Sequence, residues 1–296
     1  MDRGLMAIAA VSIASSAVLV EVAEASAVAL AFWRCLGGAL LLAPAAARSG
    51  VSSAHLLRCR IPLLVGGLAL GLHFATWLES LERTSTAASV TLVTTAPIFV
   101  VAGSWLAGRR PSSRMLFAVA IAVAGAIVLT GGDLIRNPGS VDGDLLALAG
   151  AVCMAVYLLV GGRLRSELGT ASYAAPVYAV AALALIPTAL IGGVALTGFD
   201  SQTWLAIGAM IVGPQIGGHT VLNHLLGRIG SVLVSMILLA EPIVASLLTW
   251  IFFGEVPPST AWIGTPIVLL GMGLAITATQ SAGGRPTAVT EVLRID

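Results

Sequence analysis

The chain has 296 residues, 58% hydrophobic and 10% charged, with a mean hydropathy of +1.00 and a formal net charge of +1. A soluble domain carries about 25% charged residues, so most of this surface has to face lipid rather than water. The near-neutral balance implies no nucleic-acid partner, and all fifteen basic residues are arginines, which excludes Schiff-base chemistry and a P-loop lysine.

Crossing about 30 Å of hydrocarbon takes about 20 apolar residues in a helix. Ten such stretches are predicted, near 4–22, 27–47, 61–81, 85–107, 114–132, 144–163, 173–196, 204–226, 231–253 and 259–280. The short breaks between them hold the charges, Gly and Pro. The first stretch also resembles a signal peptide, with Val22-Ala23-Glu24-Ala25-Ser26 as its cleavage region. Its single Arg, offset by Asp2, and its counterpart in the second half favour a spanning helix. Residues 283–296 read as a polar cytoplasmic tail.

With the N-terminus in the cytoplasm, twelve arginines fall on the cytoplasmic side and only Arg83 and Arg136 on the other; Arg34 lies inside a helix. That asymmetry predicts both termini inside.

The two halves match each other weakly but in order. The run from Thr86 to Phe99 parallels that from Ser231 to Val244 at an offset of 145, which places Pro97 on Pro242 and Trp105 on Trp250. With one inserted residue, Gly108 falls on Gly254, Pro111 on Pro257 and Gly125 on Gly271. Five helices per repeat is an odd number, so the second repeat must enter the membrane from the opposite side. The predicted fold is an all-α membrane protein of two inverted five-helix repeats, 1–132 and 144–282, joined by an extracytoplasmic linker at 133–143. Such repeats build transporters with the solute near the midplane.

Phe32-Trp33-Arg34, the Ser/Ala-rich run leading to Ala96-Pro97, and Ala240-Glu241-Pro242 followed by Gly254-Glu255 carry a family resemblance. The chain resembles the drug/metabolite transporter superfamily in its ten-helix EamA-type branch, over about 4–280. Within it, the chain looks most like YddG-type exporters of aromatic amino acids. Repeat one departs from the pattern, with Arg109 after Gly108 where repeat two has Glu255.

An ionisable group at mid-membrane is a functional candidate by default. His73 and His219 stand 24 and 23 residues before Pro97 and Pro242, nearly equivalent places that predict one shared cavity. Gln215, His219 and Asn223 recur every four residues as a polar stripe after Pro214. Trp77, Thr91, Thr95, Tyr157 and Tyr178 are further candidates for the wall. Pro97 and Pro242 read as mid-helix kinks, either gates or static bends. Glu241 reads as a proton-coupling carboxyl or a neutral hydrogen-bonded one. Arg34 either pairs with Glu79 or Glu21 at the outer end or binds a substrate carboxylate. Interhelical hydrogen bonding is the competing reading for most of these polar groups.

Cys35, Cys59 and Cys153 lie far apart and make no metal-ligand spacing. The sequence calls for no cofactor or metal. It predicts a secondary transporter that exports small amphipathic solutes by alternating access, with aromatic or hydrophobic amino acids implied by the resemblance. Other metabolites or drugs are the alternative substrates. An intramembrane enzyme or a non-transporting receptor is the alternative of another class. The expected partners are the solute and the bilayer, and ten helices suffice to enclose a pathway in one monomer.

Overall fold

The computed structural model describes residues 2–136, 141–254, 256–257 and 259–281. Those residues form helices α1 (Asp2–Val22), α2 (Ala27–Ala47), α3 (Ser53–Arg58), α4 (Arg60–Arg83), α5 (Thr86–Val93), α6 (Ala96–Leu106), α7 (Ser113–Arg136), α8 (Val141–Leu164) and α9 (Thr170–Ile191). Next come α10 (Ser201–Met210), a π segment (Ile211–Thr220), α11 (Val221–Ile237), a 3-10 turn (Leu238–Ala240), α12 (Glu241–Phe253) and α13 (Ser259–Ser281). No strand occurs among the described residues. Eight helical stretches among them are long and apolar enough to cross a membrane, and Ser113–Leu129 is a shorter apolar one.

The longest stretch, Ser201–Phe253, has 53 residues. It is interrupted at Gly230, whose φ of +79° and ψ of 165° lie outside the helical region. Only glycine adopts that combination readily. The other starts are fixed locally. Ser26, Ser85 and Asp200 each accept a hydrogen bond from the amide three residues on, which satisfies a donor that the helix leaves free.

The predicted span at 85–107 is two helices. α5 ends at Val93 and α6 restarts at Ala96, with Pro97 in its first turn. Likewise α12 starts at Glu241, with Pro242 in its first turn after a 3-10 turn. The prolines therefore stand at helix restarts, where a missing N–H leaves no bond unmade. They do not kink continuous helices as the sequence suggested. The predicted linker at 133–143 is shortened, because α7 runs to Arg136 and α8 starts at Val141. The tail at 283–296 lies outside the described residues.

The helices pack in pairs. α7 lies along α13, α2 along α9, α4 against α8 and α9, and α1 against the π segment and α12. Glycines set the closest approaches. A Cβ at Gly125 would stand 2.5 Å from the Val268 amide nitrogen, and one at Gly271 would stand 2.5 Å from the Ala122 amide nitrogen. These are one contact made twice. Moving Gly125 and Ala122 each by 146 residues gives Gly271 and Val268. Gly108 and Gly254, aligned in the same way, both have φ of +75° where their helices end.

Helices in lipid associate through this close packing of small residues, so overfilling the seam separates it. Gly271→Ala is expected to destabilise the protein by about 1–3 kcal/mol, read as a lower thermal midpoint in detergent. Gly273→Ala, two residues away with nothing within 4 Å, is expected to leave that midpoint unchanged.

Candidate solute-binding cavity

A buried cavity lies where the π segment, the two proline-marked restarts and helices α1, α2, α4 and α8 meet. Its wall includes Ile13, Ser16, Arg34, His73, Phe74, Trp77, Thr94, Pro97, Met154, His219, Leu238 and Glu241. Within the cavity ≈ 50 Å³ admits the centre of a water molecule. By volume, that is room for roughly three to five waters.

His73, His219, Trp77, Arg34, Pro97 and Glu241 are thus brought to one place. The two histidines flank a single ring: Phe74 lies 5.2 Å from the His73 centroid and 5.8 Å from that of His219. Trp77 stacks on His73 at 5.9 Å and 13°, one helical turn away on α4. His73 Nδ1 is 2.9 Å from the Gly150 carbonyl. A carbonyl only accepts, so Nδ1 carries a proton and donates it to Gly150.

Arg34 is buried at 5% exposure. Its Nε donates to Gln215 Oε1 at 3.0 Å, and its guanidinium carbon sits 4.9 Å over the Phe74 ring. Glu79 is not its partner: that carboxylate bonds Arg83 at 2.6 Å, one turn along α4. The reason is reach, since Arg83 shares a face with Glu79 at the helix end while Arg34 lies deeper, over Phe74. Glu241 on α12 is close enough for its charge to act on Arg34, but the two form no direct ion pair.

The remaining candidates lie outside the cavity wall. Tyr157 donates to Asn223 Oδ1 at 2.6 Å, and Asn223 Nδ2 donates to the Tyr178 hydroxyl at 3.0 Å. Thr220 spends its proton on the Gln215 carbonyl at 3.0 Å, so Tyr178 must donate to Thr220 at 3.1 Å. The predicted stripe therefore divides. His219 faces the cavity, while Gln215 and Asn223 belong to a one-way hydrogen-bonded chain beneath it. Thr220 lies five residues beyond Gln215, the i→i+5 spacing of a π segment, which brings its hydroxyl onto that carbonyl. Thr91 is buried, and the Thr95 hydroxyl bonds its own backbone at Leu92. Their neighbour Thr94 reaches the wall instead, its hydroxyl bonded to Thr91. Ser16 of α1 lines the cavity as well, and so does Phe74, which nothing in the sequence singled out.

Four wall atoms are buried with no hydrogen-bond partner: Ser16 Oγ, Arg34 Nη2, Trp77 Nε1 and His219 Nδ1. Unmet groups cost about 1–3 kcal/mol each, and native proteins hold few of them. Four on residues of one cavity wall suit a polar ligand or water.

The profile of the EamA-like transporter family matches residues 4–131 and, a second time, 141–277. The chain belongs to this family. Among curated proteins it is 30% identical over 226 residues to the threonine/homoserine exporter RhtA of Escherichia coli K12, covering 75% of this chain and 71% of RhtA. It is 28% identical over 209 residues to the uncharacterized inner membrane transporter YedA of the same strain, covering 70% of this chain and 67% of YedA. A solved crystal structure with 21% identity shares the fold at a TM-score of 0.78, over 94% of this chain and 97% of its own. The family and these relatives are membrane transporters, not enzymes.

Within this EamA fold, Gln215 holds the buried guanidinium through one neutral acceptor. Gln215→Leu is expected to lower stability by about 1.5–3 kcal/mol, the worth of a hydrogen bond to a charged group. Gln215→Glu, which keeps an acceptor, should retain the parent thermal midpoint in detergent.

Proposed function

We propose that this chain is an inner-membrane secondary transporter that exports small zwitterionic amino acids through the Arg34–Glu241 cavity. Alternating access runs between two inverted five-helix repeats, with ten spans and both termini cytoplasmic. The observation that carries the reading is a fixed cation and a fixed carboxyl facing one buried space without pairing to each other. Arg34 keeps Nη2 free there. A guanidinium suits a carboxylate, and a carboxylate such as Glu241 suits an ammonium group. Trp77 Nε1 and His219 Nδ1 are left for the polar part of a side chain.

The repeated family match, the mirrored Gly125–Val268 and Gly271–Ala122 contacts and the twin glycine caps support the inverted repeat. The arginine distribution supports the orientation. A narrow cavity favours threonine-sized solutes over the aromatic ones implied by the sequence, and the likeness to a threonine/homoserine exporter agrees. One chain is enough to enclose the path. Glu241 exchanges a proton for the solute's ammonium group, which couples export to the proton gradient.

Counterflow in proteoliposomes with alanine, threonine, homoserine, leucine and phenylalanine tests the reading. Threonine and homoserine should exchange saturably, and failure of every amino acid under solute or pH gradients would sink it. Saturable exchange argues equally against a receptor and an intramembrane enzyme. Arg34→Lys, which loses the planar fork, is expected to raise the half-saturation concentration about tenfold or more. Glu241→Gln is expected to remove the acceleration given by an imposed pH gradient. Unchanged pH dependence in that variant rejects the coupling role.

A further inference from the structure

The sequence offered no metal-ligand spacing, yet the fold assembles one at the end of the bundle where α2, α4, α8 and α9 meet. His55 on α3 and Cys59 just after it stand four residues apart, one helical turn, and so share a face. Glu167 comes from the short connection between α8 and α9, 108 residues beyond Cys59. The His55 imidazole, the Cys59 sulfur and a Glu167 carboxylate oxygen each place a ligand atom within 4.8 Å of the other two. Cys59 Sγ lies 3.9 Å from Glu167 Oε2. His55 Nε2 is buried with no hydrogen-bond partner.

We propose that His55, Cys59 and Glu167 form a binding site for a thiophilic divalent cation such as Zn²⁺, clasping the first half of the chain to the second. Zinc bonds of about 2.3 Å to sulfur and 2.0–2.2 Å to nitrogen or oxygen put tetrahedral donors roughly 3.4–3.6 Å apart. The triangle needs to close by about an ångström, and the exposed Glu167 side chain is free to supply that movement. A thiolate, an imidazole and a carboxylate together select Zn²⁺ or a neighbouring transition metal over Mg²⁺ or Ca²⁺. Three protein ligands leave the fourth position for water.

The frame around the site is already held. Arg165 donates to the carbonyls of Asn223 and Leu168 and to the Thr170 hydroxyl, which fixes the connection bearing Glu167. Ser172 donates to Ser49 at 2.8 Å across the same junction. A cysteine binds the cation as thiolate, so the thiol proton leaves to solvent when the cation binds. Thiolate and carboxylate then supply the two negative charges that balance the ion. The site stands apart from the Arg34–Glu241 cavity and does not depend on which solute that cavity takes.

Titration of tag-free, detergent-purified protein with Co²⁺ and then Zn²⁺ tests the proposal. One equivalent of Co²⁺ should bind with a thiolate-to-cobalt band in the near ultraviolet, and Zn²⁺ should displace it. Cys59→Ser should abolish the band while retaining solute counterflow in chelator. His55→Ala and Glu167→Gln should each weaken binding by about tenfold or more, at least the loss seen when a ligand's supporting partner is removed. Cobalt uptake without the band, or with a band that survives Cys59→Ser, overturns the site. Should Cys59→Ser fail to fold, unchanged affinity in both His55→Ala and Glu167→Gln overturns it equally.

Discussion

A guanidinium deep in a bundle of apolar helices is the constraint around which the rest of the site is built. Removing an arginine from water is costly even when a partner is supplied. Arg34 meets a neutral amide and an aromatic face instead of a carboxylate. The amide needs a rigid mount, and Gln215 has one because the π segment that carries it is locked from below. The chain from Tyr157 through Asn223, Tyr178 and Thr220 ends on the Gln215 carbonyl, with every proton pointing the same way. Bonds in such a one-way chain polarise one another. Arg34 is thereby held with Nη2 still unspent, on the same cavity wall as Glu241.

The glycine contacts differ between the two halves of the molecule. The α7–α13 seam is made by mirrored glycine contacts with backbone on both sides. Gly67 and Gly71 of α4 press on Val180, Ala181 and Ala184 of α9, whereas the corresponding Gly213 and Gly217 of the π segment meet serines of α1. The same sequence positions thus have different neighbours in the two halves. The proposed alternating access would exchange those unlike environments between the two repeats. Hydrogen bonds also join helix ends away from the cavity. Glu24 and Thr203 join at one end, and Ser49 and Ser172 at the other.

Much of the architecture was legible because lipid imposes simple rules. Helix lengths follow from hydrocarbon thickness, so the spans at 27–47 and 259–280 agree with α2 and α13 to within a residue. His73 and His219 stand at matched distances before the two prolines, and both lie on one cavity wall. The helix restarts at Ala96 and Glu241 were less legible, since proline alone does not distinguish a kink from a first turn. The π segment was hidden because its spacing differs little from an α-helix over a few residues, and it divided the Gln215–His219–Asn223 stripe. Arg34's neighbour was misjudged because Glu79 had a closer cation on its own helix. The His55–Cys59–Glu167 cluster was invisible for a plainer reason: its third member is brought in by tertiary packing alone.

Recognition of both ends of a zwitterion is the central claim, and calorimetric titration with a matched set of ligands tests it most directly. Threonine should be compared with the amino alcohol that lacks its carboxylate and the hydroxy acid that lacks its ammonium group. The account predicts saturable binding of threonine and binding of each analogue weakened about tenfold or more, the worth of one charge-assisted hydrogen bond. Equal binding of all three would contradict a cavity organised by Arg34 and Glu241.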